Sequence, residues 1–131
     1  MNALDTNVLV RYLVLDDAEQ AERATALVEG TAARGEKLLV VHVVLCELVW
    51  VLASAYRRPR TEIARTLSAI LRTAQFVVED VDVARRALAR YEDGRGDFAD
   101  YLVSERARVL GTDQVATFEN VLLVEDGFFR P

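Results

Sequence analysis

Four acidic residues stand where short apolar segments give way to helical ones. They are Asp5 in Leu4-Asp5-Thr6-Asn7, Glu47 in Leu45-Cys46-Glu47-Leu48, Asp100 in Asp97-Phe98-Ala99-Asp100, and Glu119 in Thr117-Phe118-Glu119-Asn120. A carboxylate just past a buried strand sits at the strand's carboxyl end, where open α/β sheets bind ligands. Four such groups gathered together would repel one another without a cation between them, and hard divalent cations take oxygen ligands. These residue types point to a small metal-dependent hydrolase, a nuclease first among the possibilities.

Each position also has a plainer explanation. Asp5 could ligate a metal with Asn7 orienting it or a bound water, or it could only cap the next helix. Glu47 is expected in the first turn of a helix rich in Leu and Val, where the helix dipole alone favours a carboxylate. Apolar neighbours on nearly every side predict that it is buried and in need of a partner. Asp97 and Asp100 share one helix face. As N-cap and N3 they would also form a capping pair, a role that fits Asp97 better than Asp100. Thr117 could bond a ligand or position a carboxylate, or belong to a polar turn.

The elements that must position these acids alternate between short apolar runs and amphipathic stretches, as in an α/β domain. Strands are expected at 3–4, 37–44, 75–79 and 115–118, with a short fifth at 121–124. Helices are expected at 6–13, 17–34, 45–56, 61–73, 82–91 and 97–110. Asp93-Gly94-Arg95-Gly96 reads as a loop. With no linker or repeat, the whole of 1–131 reads as a single domain.

Composition narrows the class further. No apolar stretch reaches the roughly 18–20 residues that span a bilayer, and no leader peptide is evident, so a cytoplasmic protein is expected. A single cysteine, Cys46, excludes an internal disulfide and suits a reducing compartment. Net charge is −5, which argues against nucleic acid unless metal neutralises several acids. Fifteen of the 16 basic residues are Arg, a count that base composition alone would also explain. Arg57, Arg58 and Arg60 form the densest basic cluster and are candidates for phosphate contact, or simply a solvated helix end. Arg11, one turn beyond Asn7, is another candidate. Trp50 and Tyr56 could stack on bases, although the helical spacing of Trp50 with Val49 and Ala53 places it rather in the core. His42 is expected within the second strand as a structural residue. As the only histidine, it excludes a metal-free mechanism based on a His pair.

Taken together, Leu4-Asp5-Thr6-Asn7, the segment Val43 to Leu52, Asp97 to Val103 and Thr117-Phe118-Glu119-Asn120 resemble the PIN-domain ribonucleases, specifically VapC-type toxins of toxin–antitoxin pairs. The resemblance covers essentially the whole chain. It implies a PIN-like three-layer α/β fold, with a parallel sheet of four or five strands flanked by helices. It also implies an acidic set of Asp5, Glu47 and Asp100 holding one or two Mg²⁺ or Mn²⁺ ions. Position 119 matches a fourth acid that is usually Asp; here it is Glu, with Asp97 a substitute or additional ligand and Thr6, Asn7 and Thr117 in support. The implied partners are RNA, an antitoxin protein and a second copy of the chain. A groove between the early helices, lined by Leu9, Tyr12, Leu13 and Leu52, is a candidate docking surface for the antitoxin, while the same residues could instead be core or dimer contacts.

Three competing readings follow from the same residues. A haloacid dehalogenase phosphatase would need a second Asp where this chain has Asn7, and a downstream Lys. A receiver domain would need a late Lys, and none follows Lys37. A PIN fold that has lost catalysis has Glu119 in its favour.

Overall fold

The computed structural model describes residues 1–131. They form two compact units, 1–79 and 80–131.

In the first unit, Leu38 and Val40 are fully buried in the middle strand of a parallel sheet, as expected for a run apolar on both faces. The strands are β1 (Asn2–Ala3), β2 (Leu38–Val40) and β3 (Phe76–Val78), in that order across the sheet. Ala3 pairs with Leu39, and Leu38 with Phe76. The Leu4 N–H adds a further bond to the Leu39 carbonyl at 2.9 Å. Helices α1 (Thr6–Val14) and α2 (Ala18–Ala33) connect β1 to β2, and α3 (His42–Ser54) and α4 (Arg60–Arg72) connect β2 to β3. Parallel strands require such crossovers.

Helix boundaries follow from cap chemistry. Asp17 caps α2 by accepting the Gln20 N–H at 3.0 Å. At the far end Gly35 takes a φ of 68°, while the Gly35 and Glu36 amides bond back to the Ala32 and Thr31 carbonyls. That paired closure needs a left-handed residue, so Gly35 stops the helix.

Two expectations fail in this unit. The second strand ends at Val40, not Val44, and His42 opens α3. The β-branched run 40–44 favours a strand, but the Glu79 carboxylate accepts the His42 N–H at 2.9 Å and stabilises the helix start. Glu47 therefore lies in the second turn of α3. Helix α4 begins at Arg60 after Pro59, so Thr61 does not cap it.

In the second unit, α5 (Val81–Asp93) and α6 (Phe98–Val109) pack through Ala84, Ala87, Leu88, Phe98, Tyr101 and Leu102. Tyr91 meets Phe98 edge-on at 6.0 Å between ring centroids. Strands β4 (Val115–Ala116) and β5 (Phe128–Phe129) form a separate parallel pair. The expected sheet of four or five strands is thus a three-stranded sheet in one unit and a two-stranded one in the other. Residues 121–124 are not a strand. Successive bonds from Leu122, Leu123 and Glu125 amides to the carbonyls of Glu119, Asn120 and Leu122 turn that backbone back on itself.

The loop after α5 is held by Tyr101, whose hydroxyl accepts the Gly96 N–H at 2.9 Å and donates to Glu125 at 2.7 Å. A Cβ on Gly94 would fall on that hydroxyl and lie 2.9 Å from the Arg90 carbonyl. We expect Gly94→Ala to lower stability by about 1–3 kcal/mol through overpacking. Urea unfolding of the variant measures it, and an unchanged midpoint would mean the loop simply moves aside.

Candidate metal centre

Within the first unit, β1 delivers Asp5 and α3 delivers Glu47 to one cleft of about 350 Å³, which Thr6, Asn7, Arg11 and Tyr56 also line. Asp5 Oδ1 accepts the Thr6 N–H at 2.7 Å, so the carboxylate does start α1. It is nonetheless exposed, with its second oxygen outside that bond. Glu47 is also exposed, against the expectation of burial. Val44, Leu45, Leu48 and Leu52 form the inner face of α3 and turn Glu47 and Trp50 outward. Trp50 is 70% exposed, so it is not core.

Neither Asp5 nor Glu47 has a cationic partner among the ion pairs of this unit. The Thr6 side chain, only 6% exposed, has a hydroxyl oxygen with no hydrogen-bond partner. Two carboxylates beside an unsatisfied hydroxyl suit a hard cation such as Mg²⁺, which binds through one or two carboxylates and keeps several waters.

Of the residues read either as an antitoxin groove or as core, two are core. Leu9 and Leu52 are core residues, while Tyr12 and Leu13 are half-buried. His42 opens α3 through its backbone N–H to Glu79, and its buried side-chain Nε2 has no hydrogen-bond partner. Arg57 and Arg58 are exposed, Arg58 pairs with Glu62 at 3.4 Å, and Arg60 begins α4. None of the three lines the cleft that holds Asp5 and Glu47.

In the second unit, Asp97 and Asp100 form the full capping box at the start of α6. The Asp97 side chain takes the Asp100 N–H, and Asp100 Oδ2 accepts the Asp97 N–H at 2.8 Å. Asp100 is half-buried, and burial pushes its carboxyl above the usual range. The charges of Asp97, Glu119 and Glu125 push it further, against the single backbone bond from Asp97. A carboxylate crowded by three others is the electrostatic signature of a place that favours positive charge. Glu119 is exposed, and its N–H bonds to the Thr117 hydroxyl at 3.1 Å, so Thr117 shapes the turn that presents it. Within either unit taken alone, no three His, Cys, Asp or Glu side chains stand at metal-ligand spacing.

Two groups escaped the reading of the sequence. One is the brace around Arg11, made by Asp16, Gln20 and Tyr56. The other is Glu105, only 2% exposed and held by Arg86 at 2.9 Å and Arg90 at 2.8 Å. The polar face of α6 gave no sign that its one glutamate points inward.

A family model for the PIN domain matches residues 3–123. A VapC ribonuclease from Aquifex aeolicus (strain VF5) is 34% identical over 118 residues, covering 90% of this chain and 87% of the relative. No solved structure matches. No helix is long and apolar enough to cross a membrane.

Proposed function

Because the chain belongs to the PIN-domain family, we propose that it is a metal-dependent endoribonuclease, the toxin of a type II toxin–antitoxin pair. The observation that carries this reading is the cleft in which Asp5 and Glu47 stand exposed and without cationic partners. The 34% identity to a VapC ribonuclease supports it. In this reading residues 1–131 act as one PIN domain.

Asp5 and Asp100 are the primary ligands for Mg²⁺ or Mn²⁺. Glu47 ligates or orients a coordinated water. Glu119, placed by Thr117, completes the set with Asp97. When bound, the cation supplies Lewis acidity toward the phosphodiester and a more acidic water. The protein's own part is to fix the carboxylates on helix starts and a strand end, so that their geometry is set before substrate arrives. The partners proposed are RNA, a cognate antitoxin that places a basic side chain among the acids, and a second copy of the chain, all in the cytoplasm.

The test is cleavage of pooled total RNA by the purified, antitoxin-free protein. Cuts at discrete positions are expected with Mg²⁺ or Mn²⁺ and none with EDTA. Glu119, one methylene longer than the family's usual Asp, favours a second reading as a catalytically weakened binding module. Silence in every metal from folded protein would select that reading and overturn the first.

A further inference from the structure

Arg11 shares the cleft with Asp5 and Glu47 yet pairs with neither. Its Nε donates to Gln20 Oε1 at 2.7 Å, and its Nη1 donates to Asp16 Oδ1 at 2.9 Å and to the Tyr56 hydroxyl at 3.2 Å. Tyr56 closes the circuit by donating to Asp16 Oδ2 at 2.7 Å. Nη2 takes part in none of these bonds. Arg11 stands in the last turn of α1, Asp16 in the link to α2, Gln20 in the first turn of α2 and Tyr56 two residues beyond α3, so three segments fix one guanidinium.

An arginine near two unpaired carboxylates would ordinarily fold onto them and quench both charges. Here Asp16 supplies the competing carboxylate. The Tyr56 hydrogen bond holds Asp16 below the usual carboxyl range, so it stays ionised and keeps its hold. The acids remain open to a cation, and one edge of the guanidinium remains open to an anion. A second cleft of about 350 Å³ adjoins, lined by Gln20, Arg23 and Leu27. Asn7 and Arg11 line both clefts. A chain leaving the acidic cleft by this route passes Arg11.

We infer that Arg11 binds a phosphate of the RNA next to the one cleaved, and that Asp16, Gln20 and Tyr56 hold it off Asp5 and Glu47 for that purpose. The inference rests on the ribonuclease reading above and adds to it a substrate contact with its own support. Arg11 is fully charged at all relevant pH, and its planar fork suits a phosphate.

The test measures affinity for a short single-stranded RNA in EDTA, where cleavage is off, across a range of salt. Losing one phosphate contact on a single strand lowers the slope of log affinity against log salt by about 0.7. Arg11→Gln is therefore expected to lose about 0.7 of slope and about 10- to 100-fold in affinity. Arg11→Lys should keep the slope. Tyr56→Phe keeps every charge and removes only the brace hydroxyl, so it should keep the slope and weaken binding about 2- to 10-fold. A purely structural Arg11 would leave the slope unmoved in Arg11→Gln.

If Arg11→Gln fails to fold, Tyr56→Phe decides, and unchanged RNA affinity and cleavage there overturn the inference. Wild-type protein that cleaves RNA while Arg11→Gln keeps its slope overturns the Arg11 contact and leaves the ribonuclease reading standing. Wild-type protein that neither binds nor cleaves RNA overturns both.

Discussion

Asp100→Asn is expected to lower RNA cleavage by more than about 100-fold while leaving the metal-free protein as stable as before, or slightly more so. The proposed ligand role and the observed capping role meet in this side chain, and the substitution separates them. An asparagine still offers an oxygen to the Asp97 N–H, so the capping box survives. What disappears is the charge that burial and Asp97, Glu119 and Glu125 all disfavour. Its removal should stabilise the empty protein by less than about 1 kcal/mol, as for other partly exposed charges. Outer partners of metal ligands already cost about 10- to 100-fold in affinity or activity when replaced, so a direct ligand should cost more. Asp100→Ala would also lose the cap, at about 1 kcal/mol, and blur the comparison. Cleavage and thermal melting of the same Asp100→Asn sample decide the matter. Activity within a few-fold of wild type would reduce Asp100 to a helix cap.

Glu105→Gln carries the largest expected loss of stability, about 2–4 kcal/mol at pH 7. Removing one partner of a buried ion pair typically costs about 3–5 kcal/mol, and the half-exposed Arg86 and Arg108 relieve part of that by turning to water. Burial pushes the Glu105 carboxyl up, but hydrogen bonds from Arg90 and Arg86 outweigh it and the group sits below its ordinary value. A depressed carboxyl stabilises the fold above the unfolded value, about 4.3. That contribution is lost as pH falls through the lower folded value. Urea unfolding of wild type and variant should therefore differ at pH 7 and converge in acid below about pH 4. Equal stability at pH 7 would show that the three arginines do not depend on Glu105.

The order of helices and strands was legible in the sequence because caps and apolar runs are local signals. Asp17, Gly35, Asp97 and Gly111 mark helix ends through bonds made within a few residues. The start of α3 was not legible, because it depends on Glu79, a residue 37 positions away. Nor was the exposure of Glu47 and Trp50. Helix α3 is apolar nearly all round, so its pattern does not say which face turns inward. Asp5 and Asp100 were legible at a strand end and a helix start, whereas Glu47 falls one turn deeper in α3 than its sequence suggests. The bracing of Arg11 was not, since Tyr56 comes to Asp16 only through the packing of α3 against α1.

Helix α3 has no N-terminal side-chain cap of its own; Glu79 fills that place from the end of β3. During synthesis the segment bearing Glu47 therefore leaves the ribosome before its stabilising acceptor exists. Until residue 79 has been made, the helix start lacks the bond seen in the finished protein. The timing of assembly is thus written into the fold: the acid of α3 gains its firm support only when the third strand joins the first two.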